Sequence, residues 1–290
     1  KREGVIEKFI SENIIIKNSA KYSITNLGAI LFAKNLEDFP DLKRKAIRVI
    51  VYKYNNKVET IREQIGRKGY VTGYQGLIDW VNSQLPANEE IGKAFRDDQR
   101  MYPEIAVREL LANAIIHQDF EEKGFPMVEI FSDRIEVTNP GIPLITPERF
   151  IDEYQSRNDI LADLMRRLGI CEEKGSGIDK VIFYNEMYQL PAPDILIQEK
   201  HTKVIMYSYK TLNQMGKKDK IRACYQHCCL RYVSNDKMTN QSLRTRFKIE
   251  SKNSAIASRI IKEALNDNAI KEDDPESNSR KYKKYIPFWA

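Results

Sequence analysis

The sequence predicts an α+β protein: an α/β sandwich in the middle of the chain, an α/β segment before it and a helical unit with a β-hairpin after it. Three observations predict this. Helical patterns and antiparallel-strand patterns are mixed along the chain rather than alternating strictly, as one sheet under one helical layer requires. The apolar run RELLANAIIHQDF carries a polar side chain every fourth residue, so one buried helix has a polar stripe. Charge is unevenly placed: residues 212–290 hold 17 Lys/Arg against 9 Asp/Glu, and the rest holds 30 against 32. With 290 residues, 42% apolar and 10% aromatic, the chain has material for three packed units, divided here as 1–100, 101–210 and 211–290.

The elements follow in order. Residues 4–17 pattern as an amphipathic helix with Val5, Ile6, Phe9 and Ile10 on one stripe. SITNLGAILFAKN reads as a turn into a short apolar helix, and the β-branched KAIRVIVYKY as a strand. TGYQGLIDWVNSQLP is a helix after a Gly-rich bend, with Leu77, Ile78 and Val81 inward and Pro86 ending it. In MYPEIAVRELLANAIIH, Pro103 suits the first helical turn, where a missing N–H costs nothing, and Glu104 suits the positive end of the helix dipole. FPMVEIFSD and RIEVTNPG are strands joined at Ser132-Asp133, a hairpin that ends at Asn139-Pro140-Gly141. TPERFIDEY predicts a helix capped by Thr146, and RNDILADLMRRLGI another closed by Gly169. EEKGSGIDKVIFYNEMYQL is a short Gly loop running into a helix, and DILIQEKHTKVIMYSY a hairpin.

In the last unit KKDKIRACYQHCCLRYV is a helix with Ile221, Tyr225, Cys228 and Tyr232 inward. A second helix starts at Thr239. The third, in ESKNSAIASRIIKEALNDNAI, turns Ile256, Ile260, Ile261, Ala264 and Leu265 inward. KEDDPESNSRKYKKYIPFWA is a polar turn between strand-like ends, and three helices with such a hairpin make a winged helix-turn-helix. Cys171, Cys224, Cys228 and Cys229 lack a second ligand pair at zinc-finger spacing and read as reduced core thiols. No apolar run reaches the roughly 18–20 residues that a membrane span needs. The opening KREGVIEKF has no initiator Met and no signal pattern, which sets the expectation of a cytoplasmic chain lacking an upstream domain.

The stripe Glu109, Asn113, His117 has a definite chemistry available to it. A hard cation needs an oxygen ligand and an attacking water needs a nearby base, and one helical turn sets an amide and an acid on the same wall. The bland alternative is a helix whose polar groups bond neighbouring backbone. E-x-x-x-N-A-x-x-H resembles the first motif of the GHKL (Bergerat-type) nucleotide-binding fold of gyrase, Hsp90, MutL and histidine kinases. Its continuation, DRIEVTNPG, then RNDILA, then EEKGSGI, is similar in order and spacing to RecG-like, Schlafen AlbA-associated transcriptional regulators. The resemblance covers about residues 20–210, and YKKYIPFWA resembles that family's tail. It implies a GHKL-like sandwich that binds ATP or ADP with Mg²⁺. Glu109 would orient or deprotonate water and Asn113 would hold the metal, in a chain whose upstream AlbA-type domain is missing. His117 and Asp119 either line the pocket or fix the helix end; Arg157 and Asn158 either reach a phosphate or cap the next helix. Gly175 and Gly177 would free backbone N–H groups for phosphate at a helix N-terminus.

Two departures matter. The GHKL second motif, D-x-G-x-G, has an adenine-reading Asp; here Asn139-Pro140-Gly141 offers a neutral amide that accepts more weakly. The phosphate loop is cut to Lys174-Gly175-Ser176-Gly177. Both shift the expectation from motor to sensor, and the absence of any G-x-x-x-x-G-K-[ST] loop argues against a helicase. In the winged helix the recognition helix would be about 252–266. Lys252, Lys262 and the wing residues Arg280, Lys281, Lys283 and Lys284 would neutralise phosphates of double-stranded DNA, with Asn253, Ser254 and Arg259 reaching base edges. The acidic KEDDPE before the wing works against a uniformly attractive surface. The expected protein is a homodimeric DNA-binding regulator with a nucleotide sensor. The competing expectations are a Mg²⁺-dependent ATPase in a nucleic-acid or defence assembly, and a degenerate GHKL scaffold.

Overall fold

A computed structural model describes residues 2–88, 99–171, 177–276 and 283–290. The chain opens with helix α1 (Arg2–Ser11), the antiparallel pair β1 (Ile15–Asn18) and β2 (Lys21–Ile24), and helix α2 (Asn26–Phe32). Strands β3 (Arg48–Tyr52) and β4 (Thr60–Ile65), helix α3 (Tyr70–Gln84) and the two-residue strands β5 (Ala87–Asn88) and β6 (Gln99–Arg100) follow. Then come α4 (Glu104–Ile116), β7 (Met127–Ile130), β8 (Arg134–Pro140), α5 (Asp159–Arg167), α6 (Gly177–Met187), β9 (Asp194–Ile197) and β10 (His201–Tyr207). The last unit is α7 (Lys217–Val233), α8 (Asn240–Arg246), α9 (Ser254–Asn266), β11 (Ile270–Glu272) and β12 (Tyr285–Pro287).

The centre is a mixed six-stranded sheet in the order β4-β3-β7-β8-β10-β9. Only the β3–β7 pair is parallel, with Arg48 opposite Met127. The other neighbours are antiparallel, including the predicted hairpin β7–β8. Helix α4 lies against one face, next to α3 and α6, and Ala106, Val107, Leu110, Leu111 and Ile115 are all but sealed from water. A helix apolar on nearly every side must be covered on nearly every side. Burying its polar stripe is therefore tolerable only where those groups have partners or a purpose.

The third unit packs around its own core of Cys224, Cys228, Leu243, Ala257, Ile260, Ile261 and Tyr285. Thr239 caps α8 through a reciprocal bond pair with Ser242, as its sequence predicts. The unit is bolted to the segment after α6: the buried Arg246 donates to the Leu190 carbonyl (2.7 Å) and Gln226 Nε2 to the Pro193 carbonyl (2.8 Å). Glu186, near the end of α6, meets His227 Nδ1 at 3.0 Å and Arg246 Nε at 3.4 Å.

Three local expectations give way, and one strand, β4, has no sequence pattern to announce it. The first helix stops at Ser11 because Asn13 turns left-handed (φ 55°), and β-branched Ile15 and Ile16 then enter a strand. TPERFIDEY forms only a 3₁₀ turn, Pro147–Arg149, and Thr146 makes no side-chain cap. Its Phe150 and Ile151 go to different neighbours, and that tertiary demand outweighs helix propensity. Ile256 points outward (41% exposed) and Ala257 takes the inner position. Strand β4 carries no apolar alternation, and every one of its residues is exposed at the sheet edge.

Candidate functional site

The polar stripe of α4 opens onto a cavity of about 290 Å³. Glu109, Asn113 and His117 form one wall; Val137, Asn139, Thr202 and Val204 of the sheet form the floor. Gly177, the first residue of α6, closes one end, and the loop 142–154 lies across the mouth with Ile142, Leu144, Phe150 and Tyr154. Arg157 and Arg166 bring positive charge; Glu153, Asp159 and Asp163 bring negative.

The closeness of α4 and α6 decides the geometry at the acid end. A Cβ on Gly177 would stand 3.1 Å from Glu109 Oε2 and 3.3–3.4 Å from the Asn113 amide atoms. A side chain at Gly177 would crowd the space that the acid, the amide and the α6 N-terminus share. Glu109 is almost wholly buried (5% exposed) and Asn113 partly so. The N-terminus of an eleven-residue helix adds N–H groups and a favourable dipole for an anion. Asn113 supplies one oxygen suited to Mg²⁺, which takes few protein ligands and fills its shell with phosphates and water. No group of three or more His, Cys, Asp or Glu among the described residues could by itself hold a metal.

His117 sits where α4 ends, its ring edge-on to Tyr154 (centroids 5.9 Å, 75°). Burial, with the Arg157 cation adding, lowers its pKa to about 4, so the imidazole is neutral at pH 7. A neutral ring offers one donor and one acceptor to whatever occupies the cavity. Arg157 faces the cavity but is already engaged, to Asp119 (3.2 Å) and the Ile142 carbonyl (2.7 Å), so it also ties the mouth loop to the α4 end. Burial pushes the Cys171 thiol up to about 11, with Glu109 adding, and keeps it protonated.

Two sequence candidates lie off the cavity lining. Asn158 is off the cavity: its amide donates to the Ile116 carbonyl (2.7 Å) and the Gln118 carbonyl (2.8 Å), filling the orphan acceptors where α4 ends. It is also the N-cap residue of α5 by position, with its carbonyl accepting from Ala162 N–H, but its side chain makes no capping bond there and serves the helix before it instead. Gly141 is not on the lining either. It turns with φ 101°, its N–H donates to the Lys200 carbonyl (2.7 Å), and a Cβ there would lie 2.8 Å from Asp119 Cβ. Gly175 lies outside the described residues. Asn139 does reach the cavity, but its NH₂ is spent on the His117 and Pro140 carbonyls (3.3 and 3.2 Å).

The mouth residues Ile142, Leu144, Phe150 and Tyr154 were not legible as a site, since isolated apolar positions in a loop carry no pattern. In the third unit Lys252, Asn253, Ser254, Arg259 and Lys262 are all exposed on or just before α9. Lys252 pairs with Glu250 (2.6 Å). Lys284 is exposed, whereas Lys283 is held by Glu272 (2.5 Å). Arg280 and Lys281 lie outside the described residues.

Residues 124–206 match the family described as "Putative ATP-dependent DNA helicase recG C-terminal". The matched segment spans the sheet floor, the mouth loop and α6; it begins after α4, so the placing of Glu109 and Asn113 rests on the geometry. No curated protein matches the chain. Among solved structures, the DIP2311 protein from Corynebacterium diphtheriae is similar in fold (TM-score 0.59, 19% identity, 87% of this chain covered). The chain spans about half of that protein, 52% of its length. No helix among the described residues is long and apolar enough to cross a membrane.

Proposed function

We propose that the cavity binds ATP or ADP with Mg²⁺ and that the protein is a DNA-binding transcriptional regulator in which this site is the sensor. One observation carries the nucleotide reading. Glu109 and Asn113, one helical turn apart, face the N-terminus of α6 across a space that a Cβ on Gly177 would crowd. Asn113 Oδ1 would ligate the metal, Glu109 would orient water beside it, and the α6 N–H groups would meet phosphate. When bound, the metal would neutralise phosphate charge. The GHKL-like assignment is supported by this placing and by the ATPase-like match of 124–206.

Slow or absent turnover is the expected behaviour. Asn139 stands where an adenine-reading carboxylate would, and its NH₂ is bonded to backbone, so base recognition lacks charge assistance. The retained acid Glu109 favours the second reading, a Mg²⁺-dependent ATPase in a nucleic-acid or defence assembly.

The DNA reading rests on the third unit, which we take as a winged helix: α7 to α9 with β11–β12 as the wing. Helix α9 buries Ala257, Ile260, Ile261 and Ala264 and presents Ser254, Ser258, Arg259 and Lys262. Short side chains beside two cations let a helix approach a groove closely. A two-fold operator would be met by a homodimer. Calorimetry with Mg-ADP tests the sensor: heat of binding is expected for the parent and loss of it for Asn113→Ala. Steady hydrolysis abolished by Glu109→Ala would replace sensor with ATPase. Duplex binding should weaken steeply with salt, and Arg259→Ala should weaken it further; binding indifferent to both would remove the DNA reading.

A further inference from the structure

We infer that the loop Thr146–Tyr154 couples the cavity to the third unit through a seat for the C-terminal Trp289, an inference that rests on the nucleotide reading above. The loop has two working sides. Phe150, Glu153 and Tyr154 line the cavity. Glu148, Arg149 and Ile151, interleaved with them, serve the other side. The Tyr225 hydroxyl of α7 donates to the Glu148 carbonyl (2.5 Å) and accepts from Trp289 Nε1 (3.0 Å). The Arg149 guanidinium lies 4.6 Å from the Trp289 ring centre, a cation–π contact. Ile151 packs with Ile182, Cys229 and Trp289, and Phe288 stacks on Tyr225 (6.1 Å).

These contacts set the path of a segment with little regular structure of its own, one 3₁₀ turn at Pro147–Arg149. Arg149 also pairs with Glu153 (2.9 Å) and Asp152, so the cavity side and the tryptophan side share one guanidinium. Trp289 lies two residues beyond β12, whose Tyr285 exchanges backbone bonds with Met238, just before α8. A shift of the loop therefore reaches the wing strand. The other junction, Glu186 with His227 and Arg246, holds α7 and α8 to the end of α6 and acts as the fixed side.

A ligand supplies the differential free energy that any such shift needs. Ile142, Leu144 and Tyr154 stand 49%, 46% and 55% exposed at the mouth. An occupant would cover them, favouring the loop position that closes over it.

The chain has two tryptophans, Trp80 and Trp289, so Trp80→Phe leaves one reporter at the seat. Titrating Mg-ADP into that variant should change Trp289 emission with a midpoint within about twofold of the calorimetric Kd. Adding Tyr225→Phe removes both bonds of the hydroxyl. It should leave the calorimetric Kd within about twofold while cutting the emission change by at least about half. Should Trp80→Phe disturb folding, fluorotryptophan labelling of the unaltered chain gives a separate fluorine resonance for each indole. Calorimetric binding with a silent Trp289, or an undiminished response in Tyr225→Phe, overturns the coupling while leaving the nucleotide site standing. Absence of calorimetric binding refutes the site itself and the coupling with it.

Discussion

His117→Gln isolates the electrostatic cost built into the cavity wall. In the folded chain burial, aided by Arg157, holds the imidazole at about 4, against 6.5 for an unperturbed ring. Between those values the unfolded chain binds a proton that the folded chain refuses. Stability is therefore complete above about pH 6.5 and is lost progressively as pH falls towards 4, by at most about 3 kcal/mol. Asp179 acts in the opposite sense. Burial, with Asp152 adding, raises its carboxyl to about 6 from 3.8. Its penalty at neutral pH is relieved as pH falls through 6, so the parent shows only the sum of the two. The difference between parent and His117→Gln removes the Asp179 contribution. Urea unfolding of both at about pH 7.5, 5.5 and 4.5 measures it. Acidification should cost the parent about 2–3 kcal/mol more than the variant. Equal losses in both chains would show that His117 titrates normally and that the wall is wetter than the geometry says.

Further expectations are quickly stated. Asn158→Ala strips two acceptors at the end of α4 of their donor and should destabilise by about 2–3 kcal/mol in urea unfolding while leaving Mg-ADP affinity intact; weakened binding at unchanged stability would return Asn158 to the ligand set. Asp179→Asn should raise stability at pH 7.5 by up to about 2 kcal/mol and lose that advantage near pH 4, since a neutral amide has no charge to desolvate. Gly177→Val would push a branched side chain onto Glu109 and Asn113 and should weaken Mg-ADP binding by at least about tenfold, or 1.4 kcal/mol. A variant that binds like the parent would mean that phosphate does not enter between α4 and α6.

Much of this was legible in the residues because local rules and tertiary demands agree there. Four-residue spacing put Glu109, Asn113 and His117 on one wall, and alternation with a turn at Ser132-Asp133 gave the β7–β8 hairpin. Legibility failed where long-range contacts decide. Asn158 reads like a phosphate or cap residue, yet its partners are carbonyls about forty residues earlier in the chain. Ile256 fits the inward stripe by period, yet Ala257 sits closer to the core axis, so the isoleucine is turned out. Strand β4, with Ile61 and Ile65 both exposed, has no buried face to read and pairs along the open edge of β3. The loop 146–154 patterns as a helix, but its apolar residues divide between the cavity and Trp289.

The most direct test of the central claim is a crystal grown with Mg²⁺ and a non-hydrolysable ATP analogue. The account predicts a metal about 2.0–2.1 Å from Asn113 Oδ1, phosphate oxygens on the N–H groups opening α6, and the base against the apolar mouth loop. Saturated crystals with this cavity unfilled, or with the nucleotide bound elsewhere, would contradict it.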